Sequence, residues 1–187
     1  DTEGNVLGKV NVSPALSSAI SDASTNEDVA YSYDASTNFS DADGDTLTYT
    51  ATLSNGSALP SWLSFNTTTG VLSGTPENDD VGSIDVTITA TDDDSASVSD
   101  TYTLTVANTN DTPTVSTTIP DNFINDDAPY SYDASSYFSD VDTGDTLTYS
   151  ATLADDSALP SWLRFNTTTG VLSGTPENDD VGSIDVT

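Results

Sequence analysis

Apolar and polar residues alternate one for one through much of the chain. Leu47, Tyr49, Ala51 and Leu53 share one side of residues 45–53, and Thr46, Thr48, Thr50 and Thr52 take the other. Ile84, Val86, Ile88 and Ala90 alternate with Asp85, Thr87 and Thr89, and Tyr102, Leu104 and Val106 alternate with Thr101, Thr103 and Thr105. A period of two with threonine on the outer side marks half-buried antiparallel strands. Tyr31 and Tyr33 give another strand, and Val71-Leu72, between Gly70 and Gly74, a short one. No stretch carries the 3.6-residue period of a helix. Six or seven short strands per ~100 residues, parted by Gly, Pro, Asn and Asp turns, predict a two-sheet β-sandwich. Within it Trp62, Leu63 and Phe65 read as core, with Trp62 a packing anchor rather than a sugar platform.

The pattern is also written twice. Residues 59–87 read LPSWLSFNTTTGVLSGTPENDDVGSIDVT and recur at 159–187 with one difference, Arg164 standing where the first copy has Ser64. Upstream the copies run at an offset of 99, so that Tyr31–Ser36 falls on Tyr130–Ser135 and Asn11 on Asn110. One residue is then inserted where Asp41-Ala-Asp-Gly-Asp45 becomes Asp140-Val-Asp-Thr-Gly-Asp145, and the offset is 100 from there on. Insertions settle in surface loops, so this acidic segment is a loop. The expected organisation is one repeat over 11–110 and a second over 111–187. Residues 1–10 are then a linker or the last strand of a preceding repeat. The second copy stops before the counterpart of 88–106, and so should be incomplete at its C-terminal strands. Either it is a piece of a longer array, or strands from a neighbouring subunit complete it, as in donor-strand assembly. With no initiating Met and no signal peptide, the chain reads as an interior segment.

Charge narrows the partners. Two Lys+Arg against 31 Asp+Glu leave a net charge of −29, which argues against nucleic acid and against an anionic membrane surface. Low hydrophobicity with high charge is often disorder, but the periodic apolar positions argue otherwise, and bound divalent cations would offset the self-repulsion. Cys and His are both absent. That removes disulfides, thiol chemistry, the commonest general base and the usual zinc ligand. No apolar run approaches the ~20 residues of a membrane span. Paired carboxylates can hydrolyse glycosides, but these acids lie in hydrophilic loops without a desolvated partner, so no enzyme is expected.

The run LPSWLxFNxxTGxLSGTP, a later strand ending in ATDDD and a last strand ending in VANTNDTP resemble the dystroglycan-type cadherin-like module. This module is also described as an immunoglobulin-like repeat of large bacterial surface proteins, adhesins among them. The resemblance covers nearly all of 11–187. It implies an all-β chain of tandem, seven-stranded cadherin-like sandwiches in secreted or cell-surface proteins, with calcium at the module junctions. Calcium chemistry agrees, since Ca²⁺ takes six to eight oxygen ligands from flexible loops. Strands running up and down should bring Asp41, Asp43 and Asp45 to the same end as Asp92, Asp93 and Asp94. Glu27 and residues 77–80 should lie at the other end. Carried over by position, Glu27, Glu77 and Asp79 take the upper-module role, Asn108, Asn110 and Asp111 the linker role, and Asp140 and Asp142, with Asp145 beside them, the lower-module role. Asp41, Asp43 and Asp92 complete the candidate metal set. The motif Glu77-Asn78-Asp79 departs from the Asp-Arg-Glu of cadherins, which leaves the number of ions per junction open.

The expected function is that of an extracellular structural repeat in an adhesin or surface filament, stiffened by calcium, whose partners are neighbouring repeats or identical subunits. Cell-surface or polysaccharide ligands remain open. The alternative of a carbohydrate-binding module would need exposed aromatics, and Tyr137, where the first copy has Asn38, is the best candidate. Asn66 and Asn166 sit in Asn-x-Thr motifs that permit glycosylation.

Overall fold

The computed structural model describes residues 10–187 and divides the chain into two compact units, one ending at Thr109 and the other running from Asn110 to Thr187. The proposed strand of a preceding repeat, apart from Val10, lies outside the described residues.

In the first unit the order is β1 (Ala15–Leu16), β2 (Ala23–Asn26), β3 (Tyr31–Asp34), β4 (Phe39–Ser40), β5 (Thr48–Leu53), β6 (Leu63–Asn66), β7 (Val71–Gly74), β8 (Gly82–Thr91) and β9 (Ser97–Ala107). One sheet runs β2-β9-β8-β5, a second β3-β7-β6, and β1 pairs with β4. All pairings are antiparallel except β2 with β9, where Ala23 to Asn26 lie opposite Leu104 to Ala107 in parallel. The alternation read from sequence is the alternation of burial. Val86, Ile88, Ala90, Tyr102 and Leu104 from one sheet meet Leu63 and Leu72 from the other, with Tyr49, Phe39 and Ile20 closing the cluster. Trp62 and Phe65 pack against it, half-buried. The strand expected from residue 45 begins at Thr48, because Asp41 holds the preceding segment as a loop by accepting hydrogen bonds from the Asp43 and Asp45 amides.

Two turns fix the repeated segment. Asn66 Oδ1 accepts from the amides of Thr68 and Thr69, and Gly70 turns the chain into β7 at φ +71°, a conformation glycine adopts without cost. Four residues on, β7 passes so close to β6 that a Cβ on Gly74 would stand 1.9 Å from the Trp62 carbonyl oxygen. Gly170 and Gly174 repeat both features.

The second unit carries β10 (Thr114–Val115), β11 (Tyr130–Asp133), β12 (Phe138–Ser139), β13 (Leu163–Asn166) and β14 (Val171–Gly174). The sheet β11-β14-β13 has the register of β3-β7-β6 shifted by one repeat, and β10 pairs with β12 as β1 pairs with β4. Among the described residues nothing answers to β9. The counterpart of β5 is reduced to a bridge between Leu153 and Val186, backed by paired backbone bonds between Thr152 and Thr187. Val181 is 72% exposed and Phe123 94%, and Ile184 lies in solvent.

Candidate metal-binding loops

Glu27 directly follows β2, where the chain turns back toward β3. Its amide donates to the Ala107 carbonyl at 3.1 Å, and the next amide, of Asp28, donates to Pro76 at 2.8 Å. These bonds draw the carboxylate down between the end of β9 and the end of β7, leaving it 1% exposed. Oε1 accepts a short hydrogen bond from the Thr109 amide, whereas Oε2 is buried with no hydrogen-bond partner. A buried carboxylate with one orphaned oxygen is costly unless a positive charge meets it. The two cationic side chains of the chain are Lys9 and Arg164, and Arg164 lies exposed on β13 in the other unit.

Glu77 and Asp79 follow Pro76 in a short 3₁₀ turn. Glu77 closes a reciprocal cap with Asp80, whose carboxylate accepts from the Glu77 amide at 2.9 Å, and Asp79 is exposed. Asn108 is exposed beside Thr109, and Asn110 turns its amide onto the Asp111 carbonyl at 2.6 Å.

At the opposite end of the first unit the β4–β5 loop meets the β8–β9 loop. Carboxylate oxygens of Asp41, Asp43 and Asp45 lie within 4.8 Å of one another, as do those of Asp45, Asp93 and Asp94. Asp92 is 5% exposed and accepts from Ala96 N–H at 2.8 Å and from Asn11 Nδ2 at 2.9 Å. Asn11 Oδ1 and Asp41 Oδ2 are buried without partners. Like charges about 4 Å apart repel by ~1 kcal/mol in water and by several times that near a protein surface.

The second unit repeats the acidic loop. Asp140, Asp142 and Asp145 place carboxylate oxygens within 4.8 Å of one another, and Asp142 is 5% exposed. The entering chain is held alike in both copies. Val12 N–H donates to Asp43 Oδ2 at 2.8 Å, and Asp111 N–H to Asp142 Oδ2 at 2.7 Å. Asp43 and Asp142 amides in turn donate to Asp41 and Asp140. Hard oxygen donors on loops, with no nitrogen or sulfur ligand available, suit Ca²⁺ before any transition metal.

The structure thus groups Asp41 and Asp43 with Asp45, sets Asp92 beside them through Asn11, and pairs Asp140 with Asp142 and Asp111. Glu27 stands at the other end of the first unit, next to Pro76. Sequence reading passed over Asn11 as a ligand, although its match to Asn110 was the available signal. Tyr137, the candidate sugar platform, is half-buried, its ring 6.1 Å from Tyr132, which lies 6.4 Å from Tyr130. The matching face of the first unit is core, with Tyr33 packed 5.8 Å from Tyr102 of β9. Asn66 and Asn166 are exposed, with their Oδ1 atoms held in turns.

A family profile described as "Putative Ig domain" matches residues 13–107 and again 112–187. Among solved structures, the chain is similar to Drosophila N-cadherin EC1-4 at 15% identity, covering 88% of this chain and 41% of that one, with a TM-score of 0.52. It is also similar to the human desmocollin-1 ectodomain at 15% identity, covering 95% and 34%, with a TM-score of 0.42. The endo-fucoidan hydrolase MfFcnA4 of glycoside hydrolase family 107 matches at 25% identity over 91% of this chain and 25% of that one, with a TM-score of 0.44. The chain therefore spans less than half the length of each. No curated protein matches it. No helix among the described residues is long and apolar enough to cross a membrane.

Proposed function

We infer, for a chain that belongs to the Putative Ig domain family in two consecutive copies, that it is a calcium-binding structural segment of an extracellular repeat array, serving reach and adhesion rather than catalysis. The observation that carries this reading is Glu27, a carboxylate 1% exposed with one oxygen unpartnered, in a chain of net charge −29. A divalent cation would meet that oxygen. Glu77, Asp79 and the side chain of Asn108 are the further donors assigned to it by position, while Asn110 and Asp111, in the second unit, stay proposed ligands by position alone. In the acidic loops of the first unit, Asp41 Oδ2 and Asn11 Oδ1 ask for the same partner, with Asp43 and Asp92 beside them, and Asp140 and Asp142 are the carboxylates proposed to hold an ion in the matching loop of the second unit.

The ion would be structural. It neutralises carboxylates that otherwise repel, and it orders loops that contribute no apolar core. Isothermal titration of the metal-depleted chain should show calcium binding with more than one site per chain, and Glu27→Gln should remove at least one. A flat titration would overturn the reading. The finer proposal, that such ions stiffen successive repeats against bending, predicts a narrower distribution of end-to-end distances in calcium than in chelator, read by fluorescence energy transfer between labelled ends. An unchanged distribution would sink that part alone.

A further inference from the structure

The connection between β5 and β6 carries the one asparagine of the chain that precedes a glycine, Asn55-Gly56, where the second repeat reads Asp155-Asp156. The two turns are otherwise built alike. Leu53 N–H donates to the Ser57 carbonyl at 2.9 Å and Gly56 N–H to the Leu53 carbonyl at 2.8 Å, and in the second repeat Leu153 and Asp156 donate to Ser157 and Leu153 at 2.9 Å each. Gly56 is left-handed at φ +83° and Asp156 at +64°. Asn55 Oδ1 accepts from the Ser57 amide at 2.9 Å and from its hydroxyl at 2.5 Å, as Asp155 Oδ1 does from Ser157 at 3.1 and 2.5 Å. One turn thus holds an amide, and the other a carboxylate, on the same two donors.

We propose that Asn55 is a self-modification site, whose side-chain amide is lost to attack by the Gly56 backbone nitrogen and then to water, leaving the first repeat with the acidic turn of the second. The Gly56 nitrogen bonds to Asn55 Cγ, the Cγ–Nδ2 bond breaks, and ammonia leaves carrying the Gly56 amide proton. Water then opens the cyclic imide. Cleavage at Cγ restores the normal backbone with an aspartate in place of Asn55. Cleavage at the backbone carbonyl gives isoaspartate, with the main chain running through Cβ and Cγ. The step consumes only water and is independent of calcium.

Asn55, Gly56 and Ser57 are exposed, and a Cβ placed on Gly56 would meet nothing within 4 Å, so the turn is open to solvent. Glycine also lacks the side chain that would shield its nitrogen. Negative charge in the addition step develops on Asn55 Oδ1, where Ser57 already places two donors, and donors aimed at a developing oxyanion lower the barrier. The bond from Gly56 N–H to the Leu53 carbonyl opposes attack and must open first, which an exposed turn tip does far more readily than a core strand. The product is held as well. An ionised carboxylate accepts the same two hydrogen bonds more strongly than an amide oxygen, and the Ser157 hydroxyl, then its amide, hold the Asp155 carboxyl below its ordinary pKa. Isoaspartate would put an extra carbon into a turn pinned at Leu53 and at Ser54, whose amide donates to the Asp85 carbonyl at 2.9 Å. The fold therefore selects aspartate.

The test is incubation of the full folded chain in mildly alkaline buffer, beside a sample held unfolded in urea, followed by peptide mapping with fragmentation that separates aspartate from isoaspartate. In the folded chain Asn55 should convert well ahead of every other asparagine, the exposed Asn66 and Asn166 included, and aspartate should form a larger share of the product than in urea. Ser57→Ala should slow conversion several-fold in the folded chain and far less in urea. An Asn55 that stays intact in the folded chain while it converts in urea would overturn the proposal, because the turn would then protect the residue. Conversion that Ser57→Ala does not slow would overturn the role given to Ser57, and an equal isoaspartate share in both samples would overturn the selection by the fold.

Discussion

At Glu27 burial and charge oppose each other, and the residue makes a sign-reversing prediction. Without metal, Glu27→Gln removes a buried charge while keeping an oxygen to accept from Thr109, so the variant should melt higher than the parent. With calcium at ~100 times its dissociation constant, the parent gains about 2.7 kcal/mol from a single site, and the order should invert. Thermal unfolding of both chains in calcium and in chelator reads this, and a variant less stable under both conditions would refute it. Gly74 gives a prediction independent of metal. A Cβ there meets the Trp62 carbonyl at 1.9 Å, a backbone atom that cannot swing aside. Gly74→Ala should therefore cost on the order of 3 kcal/mol or more, seen as a lower urea midpoint. Tyr102 adds a pH dependence. Burial first, then the hydroxyl of Tyr31, raise its pKa well above the ordinary 10.0, and burial raises that of Tyr31 too. A raised folded pKa means the stability is full below the unfolded value and erodes above it. The first unit should hold to about pH 10 and unfold beyond it, with tyrosinate absorbance rising together with loss of structure.

At the scale of elements, the strands were legible because their alternation is the pattern of burial. Val86, Ile88 and Ala90 on β8, and Tyr102 and Leu104 on β9, are buried one for one with exposed or half-exposed threonines between them. What the pattern cannot show is pairing. Gly82–Ser83–Ile84–Asp85–Val86–Thr87 and residues 182–187 have the same sequence. The first copy lies in β8 with β9 and β5 on its flanks, while the second, with no counterpart of β9 among the described residues, is exposed and holds one bridge. The parallel β2–β9 pair was likewise hidden, because Asp22 and Asp100, which accept the Thr103 and Ile20 amides across it, are surface acids indistinguishable in sequence from turn formers. The acidic loops were legible as groups. The Asp41 and Asp92 loops lie at one end, as the count of strands required. Glu27 was singled out by position alone, and its burial was not legible, because the Ala107, Pro76 and Thr109 contacts that bury it come from far along the chain.

At the scale of the molecule, two repeats of one family share an unusual balance: little apolar core, and 31 acids against two bases. Such a chain repels itself in its folded form, so cations of any kind should help and divalent ones should help most. Sodium chloride added in chelator should raise the melting temperature gradually, by screening, whereas calcium should act at far lower concentration and saturate. The most direct test is therefore calorimetric unfolding of the metal-depleted chain at fixed ionic strength, titrated with calcium. The account predicts a melting temperature that climbs with calcium and levels off, and a loss of most of that gain in Glu27→Gln. Melting curves that superimpose with and without calcium would contradict it.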